Sequence, residues 1–297
     1  MKIKLANKAV YILVVLAVLA GIFFYRTYEE REVVRQKEEY RNTIILKNAE
    51  KLGALDLEAK AVSVYNATIH QKIYGKNDTE VLPMASLAKS LSTIVALEDS
   101  QDDQIRVSAS ALGELGDNGL YAEELWDKQE LAKFSLVVSS NDGIKALGEA
   151  KPDFINKVNE KSKKIGLTKT YFVNGSGLDL EDGSGGAYTT AEEANKIALF
   201  SLRARPDIFR ATAEANLAFK SYSGFEHIAQ NTDIIVDKIP NLLFSKTGNT
   251  DLAGGNLTIV FKNKHEQTFA VTVLGSTQLG RFSDMQKIVS VLEEFVI

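Results

Sequence analysis

A mixed α/β fold of the α+β kind, an antiparallel sheet covered by helices, is the architecture this sequence predicts, on three observations. Strand-like alternation begins soon after residue 54 and returns after residue 242, at the two ends of one region. Between them lie helix-length stretches with apolar residues placed to face a core. Asn66-Ala67-Thr68 can turn the first strand back on itself, which makes an antiparallel neighbour rather than a crossover. A sheet assembled from both ends of the region and covered by the helices between follows from this pattern.

The 297 residues are 45% hydrophobic and 25% charged, with a net charge of -4. That suits one globular domain with appendages. The charge lacks the basic footprint of a general nucleic-acid binder, so no nucleic-acid partner is expected. Cysteine is absent, which excludes disulfides, thiol catalysis and thiolate metal sites. His70, His227 and His265 are scattered without paired spacing. Each is therefore expected at the surface, and no metal or other cofactor is expected.

Along the chain, residues 1–8 hold Lys2, Lys4 and Lys8, and Ala9 to Tyr25 form an uncharged apolar run. As a helix that run extends about 26 Å, at the short end of what crosses a bilayer. The preceding lysines predict a cytoplasmic tail at 1–8, a single membrane span at 9–25 and export of the rest. A cleaved signal peptide with Val18-Leu19-Ala20 at its cut site is the alternative. Gly21-Ile22-Phe23-Phe24-Tyr25 continues the run past that point, which favours an uncleaved anchor. Residues 26–53 turn to Glu, Arg, Lys and Gln with no proline. They predict a solvated helical stalk, since the apolar spacing does not sustain a heptad.

Residues 54–297 are the expected extracytoplasmic catalytic domain. Ala61 to Tyr65 reads as a strand and Ile69 to Tyr74 as its return. After Pro83 a helix is predicted through Ser86 to about Leu97, with Leu87, Leu91, Ile94 and Val95 inward. Gln129 to Val138 predicts a second helix, Ser139-Ser140-Asn141-Asp142-Gly143 a break, and Ile144 to Ala150 a further helix. Leu242 to Ser245 leads into Lys246-Thr247-Gly248, and Leu257 to Phe261 and Phe269 to Leu274 predict two more strands.

Three short motifs stand in order: Ser86-Leu87-Ala88-Lys89, Ser139-Ser140-Asn141 and Lys246-Thr247-Gly248. Singly they read as an N-cap serine, a polar turn and a charged strand end. Together they supply a nucleophile, an amine base, polar proton-relay groups and a cation for an anionic substrate. A spacing of three puts Ser86 and Lys89 on one helix face. Lys89 can act as base only if neutral, which burial and a nearby Lys246 cation would both favour.

The likeness reaches beyond the motifs. Lys60-Ala61-Val62 through Tyr74-Gly75-Lys76-Asn77, then Pro83-Met84-Ala85-Ser86-Leu87-Ala88-Lys89, resembles the opening of serine-type D-Ala-D-Ala carboxypeptidases, the low-molecular-mass penicillin-binding proteins. Val137 to Gly143, Phe172 to Asp179 and Lys246 to Leu257 resemble later segments of that family, and the likeness covers about residues 57 to 290. It implies a transpeptidase/β-lactamase-like domain, with an all-helical region beside the sheet and the active site between. It also implies a hydrolase that trims the terminal D-alanine of peptidoglycan stem peptides through an acyl-enzyme, with β-lactams acylating the same serine. In that scheme Ser86 is the nucleophile and Lys89 its base. Ser139 relays a proton, and Asn141 orients Lys89 and the substrate amide. Lys246, Thr247 and Gly248 hold the substrate, the first two at its free carboxylate. Backbone N–H groups of Ser86 and Asn249 form the oxyanion hole.

Two departures from the family stand out. Gly175 replaces a common proline, and the chain ends soon after the last sheet element, so the N-terminal span is expected to replace the family's C-terminal anchor. A DD-endopeptidase acting on cross-links would use the same site, and a catalytically silent peptidoglycan-binding protein would keep only its shape. A class A serine β-lactamase would carry Glu-x-x-x-Asn between Asn141 and Lys246; the one such spacing, Glu114 with Asn118, precedes that interval.

Overall fold

The computed structural model describes residues 2–98, 103–116 and 119–296, without the side chains of 2–10, 12, 13 and 15. Asn118 of the Glu-x-x-x-Asn spacing thus lies outside the described residues. The chain divides into two units, residues 1–47 with 297, and residues 48–296.

In the first unit the structure is helical, within α1 (Lys2–Gly53), whose last residues belong to the second unit. The predicted stalk is therefore helical, and the helix already runs through the apolar segment before it. Leu16, Leu19, Phe23 and Phe24 of that segment are exposed. Among the described residues no helix is long and apolar enough to cross a membrane. Five positions of the run at 9–25 (9, 10, 12, 13 and 15) lie outside the described side chains.

The second unit opens with the hairpin β1 (Ala61–Asn66) and β2 (Gln71–Lys76). The return strand starts two residues later than Ile69. Asn66 Oδ1 accepts from the Thr68 and Ile69 amides (2.9 and 3.3 Å), and His70 takes a φ of 54°, so four residues make the turn. A short β3 (Leu82–Pro83) and a 3-10 turn (Ala85–Ala88) lead into α2 (Lys89–Leu97). Then come β4 (Gln104–Arg106), β5 (Leu125–Asp127), α3 (Lys128–Val137), α4 (Asn141–Glu149) and α5 (Phe154–Lys164). Next follow β6 (Tyr171–Phe172), β7 (Ala187–Thr189), α6 (Ala191–Ala204) and α7 (Pro206–Phe209). The hairpin β8 (Asn216–Lys220) and β9 (Glu226–Gln230) precedes three long strands, β10 (Leu242–Thr250), β11 (Gly254–Lys262) and β12 (Thr268–Ser276), and α8 (Gly280–Glu293).

The main sheet has the order β10-β11-β12-β1-β2, every pairing antiparallel. It is assembled from the two ends of the region, as the alternation predicts. Period-two alternation sends neighbours of β12 to opposite faces. Thr272 donates to Asn195 of α6 on one face, while Phe269 meets Phe295, just beyond α8, on the other. A helix therefore covers each side of the sheet.

Beside the sheet, α2 packs against α3, α4, α5 and α6. Leu87 of the 3-10 turn and Leu91, Ile94 and Val95 of α2 are all buried as predicted; each such side chain contributes about 1.5–3 kcal/mol by leaving water. Asp127 caps α3 by accepting from the Gln129 and Glu130 amides, which starts that helix one residue before Gln129. His227 departs from expectation. It is 7% exposed, bonded to Glu124 at 2.7 Å and packed on Trp126 and Phe134. On β9 it alternates inward with Ala229, and a buried carboxylate satisfies its ring nitrogen.

Candidate active site

Ser86 sits in the 3-10 turn and Lys89 is the first residue of α2, so the helix starts three residues after the serine. Lys89 Nζ donates to Ser86 Oγ at 2.6 Å and to the Ser176 carbonyl at 2.9 Å. Lys89 is wholly buried. Burial first, and the charge of Lys246 second, hold its pKa well below that of an ordinary lysine, against an opposing pull from Glu114. A neutral amine beside a serine hydroxyl is a general base and its nucleophile. Just before Ser86, Ala85 takes a φ of 47°, a left-handed conformation that L-residues rarely adopt.

The second motif joins two helices. α3 stops at Val137, Ser139 turns the chain with a φ of 60°, and Ser140 caps α4 by accepting from the Gly143 amide at 2.9 Å. That cap lets α4 begin at Asn141, ahead of the predicted Ile144. Ser139 Oγ accepts from Lys246 Nζ at 3.0 Å. Asn141 differs from its assigned role: its Nδ2 donates to the Leu115 carbonyl at 2.6 Å, and its buried Oδ1 has no hydrogen-bond partner among the described residues. The Ser176 carbonyl, not Asn141, holds the Lys89 amine.

The third motif lies inside β10 rather than at its end, because the strand continues to Thr250 in register with β11. β10 is an edge strand, and Lys246 and Gly248 share one of its faces. Lys246 reaches Ser139 from that face. A Cβ at residue 248 would stand 2.9 Å from the Met84 carbonyl oxygen and 3.2 Å from the Ser86 amide nitrogen. Glycine is what lets the strand close on the nucleophile's turn. Thr247 Oγ1 meets Thr232 Oγ1 at 2.6 Å, and Asn249 is exposed beside Gly248.

Two residues that the sequence did not single out control the charge here. Arg281, at the start of α8, donates to the Gly248 carbonyl at 2.6 Å and lies 4.6 Å from the Phe282 ring centre. Asp233 accepts from Ser245 Oγ at 2.6 Å and from the Ile235 amide at 3.0 Å, while burial raises its pKa. Burial and the Arg281 charge lower the Lys246 pKa to about 7, with Asp233 acting in the other direction. The fixed cation of this region is thus Arg281, because a guanidinium keeps its proton where an ammonium yields one. Arg281 follows Gly248 by 33 positions with no motif around it, and only the return of α8 to β10 brings it in.

All three motifs therefore converge: Lys89 bonds Ser86, Lys246 bonds Ser139 and Gly248 closes on the turn that carries Ser86, while Thr247 meets Thr232 and Asn141 turns to a neighbouring loop. The model of the D-alanyl-D-alanine carboxypeptidase family matches residues 47–277. The chain is 27% identical over 242 residues to D-alanyl-D-alanine carboxypeptidase DacF of Bacillus subtilis, covering 77% of this chain and 61% of that protein. It is also 27% identical over 248 residues to a D-alanyl-D-alanine endopeptidase of Haemophilus influenzae, covering 80% and 82%. It thus spans about three fifths of the first carboxypeptidase and about four fifths of the endopeptidase. Among solved structures, penicillin-binding protein D2 from Listeria monocytogenes in the ampicillin-bound form superposes with a TM-score of 0.69 at 27% identity, over 80% of this chain and 98% of that one. With its three motifs closed around one serine and the family's pattern running through most of its length, the chain belongs to the D-alanyl-D-alanine carboxypeptidase family.

Proposed function

We propose that this protein is a serine D-Ala-D-Ala carboxypeptidase that removes the terminal D-alanine of peptidoglycan stem peptides and is acylated by β-lactams at the same serine. The observation that carries the proposal is the 2.6 Å contact between Ser86 Oγ and a buried Lys89 amine. Neutral Lys89 takes the Ser86 proton as Oγ attacks the penultimate D-alanine carbonyl. The Ser86 and Asn249 amides hold the resulting oxyanion, each donor contributing about 3 kcal/mol. The C–N bond then breaks as the leaving amine gains a proton through Ser139. Water, deprotonated by Lys89, hydrolyses the ester. Lys246, Thr247 and the nearby Arg281 charge hold the terminal carboxylate.

The test is intact-mass measurement after penicillin treatment together with an assay for released D-alanine. A stoichiometric adduct and free D-alanine are expected; an adduct without turnover would instead fit a silent binder. Because an endopeptidase of Haemophilus influenzae is similar over 80% of this chain, cross-linked peptide dimers belong in the same assay.

The same proposal places residues 9–25 in the cell membrane as a single span, with 26–53 as a stalk and the catalytic domain outside. It rests on the three lysines before the run and on the exposed apolar side chains along it. The full chain is expected to stay with membranes through a carbonate wash. Recovery of a mature form starting near Gly21 would show a cleaved signal instead.

A further inference from the structure

A cavity of about 930 Å³ in the second unit is separate from the three motifs. It opens between α6, the end of α5 and the face of the sheet from β2 to β11, whereas Lys246 stands on the edge strand β10. Its walls are apolar where Ile165, Leu199, Phe200 and Val260 line it. Its lining also carries Lys72, Lys161, Lys164, Lys196 and Arg203 against a single carboxylate, Glu192. Glu192 is engaged with Lys72 and Lys196, and Lys161 pairs with Glu98. Lys164 and Arg203 are exposed and have no ion pair among the described residues.

A bare anion would leave the apolar walls wet, and an uncharged apolar molecule would leave the cations unanswered. The volume falls in the range of small-molecule sites. We propose that this cavity binds a small anionic amphiphile, an apolar ring or chain bearing a phosphate or carboxylate. The acidic group sits between Lys164 and Arg203, and the apolar body lies along Leu199 and Phe200.

Calorimetric titration of the full chain, held in zwitterionic lipid nanodiscs with empty discs as the blank, tests this. The probe is 2-naphthyl phosphate, compared with 2-naphthol and with inorganic phosphate. One saturable site for naphthyl phosphate is expected, with both fragments about tenfold weaker or more. The pair Lys164→Glu and Arg203→Glu should lose that site and keep penicillin acylation. No saturable binding, equal binding by naphthol, or unchanged binding in the charge-reversed variant would each overturn the proposal, and an intact acylation rate keeps that failure separate from a failure of the catalytic reading.

Discussion

Lys246 Nζ and Ser139 Oγ lie 3.0 Å apart across 107 positions of sequence. The contact ties the edge strand to the loop between α3 and α4, and the two amines take different serines, Lys89 holding Ser86 and Lys246 holding Ser139. Burial and the Lys246 charge lower the Lys89 pKa well below that of an ordinary lysine, which favours its role as a base. Lys246 is poised near neutrality, so its charge depends on conditions. The division of labour between them can be measured.

The nucleophile and base come first. Ser86→Ala is expected to abolish both penicillin labelling and D-alanine release. Lys89→Ala should reduce acylation on the order of a thousandfold or more, since a serine without its base is a weak nucleophile. Stopped-flow acylation by a fluorescent penicillin reads both, and an adduct on the Ser86→Ala protein would sink the assignment.

The pH dependence follows from Lys246, whose pKa is lowered to about 7. Above that pH the free enzyme loses the ammonium, so kcat/KM for a substrate with a free carboxylate should fall as pH rises through about 7. Lys246→Arg should move that limb upward, because arginine stays protonated. For stability the sign is opposite. Between about pH 7 and pH 10.5 the unfolded chain holds a proton that the folded Lys246 has released, so stability rises with pH across that window. Below pH 7 the folded protein bears the full cost of the buried charge. Denaturant titrations at several pH values should show the slope, and Lys246→Met should reduce it, the remainder coming from Lys89, whose pKa is also lowered by burial.

Carboxylate recognition gives a third outcome. Lys246→Ala should reduce kcat/KM more for substrates ending in a free carboxylate than for their amides. Equal losses on the two would assign Lys246 to the chemistry itself rather than to recognition.

Gly177 supplies a stability prediction. It has a φ of 78°, and a Cβ there would lie 1.9 Å from the Ala85 carbonyl oxygen. Gly177→Ala is expected to cost about 3 kcal/mol or more and to slow acylation, because the turn carrying Ser86 must shift. A variant with unchanged melting temperature and acylation rate would contradict the packing described.

Much of this was legible beforehand for physical reasons. Strand alternation and helix-length runs are local, so β1, α2, α3, β11 and β12 were readable, as were the motifs they carry. What resisted was non-local. Asn66 lengthens its turn through a side-chain cap, and Ser140 starts α4 early the same way. The Lys89 partner is a backbone carbonyl at Ser176, which has no sequence signature. Arg281 and Asp233 enter only through folding of α8 and the segment after β9 onto β10. His227 was misjudged because burial of a lone histidine depends on a carboxylate 103 positions away.

The strand order has a consequence for how this protein comes into being. β1 pairs with β12, so Ala61 waits for Leu274, and Ser86 leans on a strand synthesised some 160 residues after it. Until β12 is made, β1 and β2 form a lone hairpin, which is marginal in water. The nucleophile's turn therefore cannot be set during most of the chain's synthesis. Reactivity arrives late and all at once, with the closing of the sheet, and a slow, long-range folding step of this kind leaves the nascent chain catalytically silent and open to proteases until its final strands are in place.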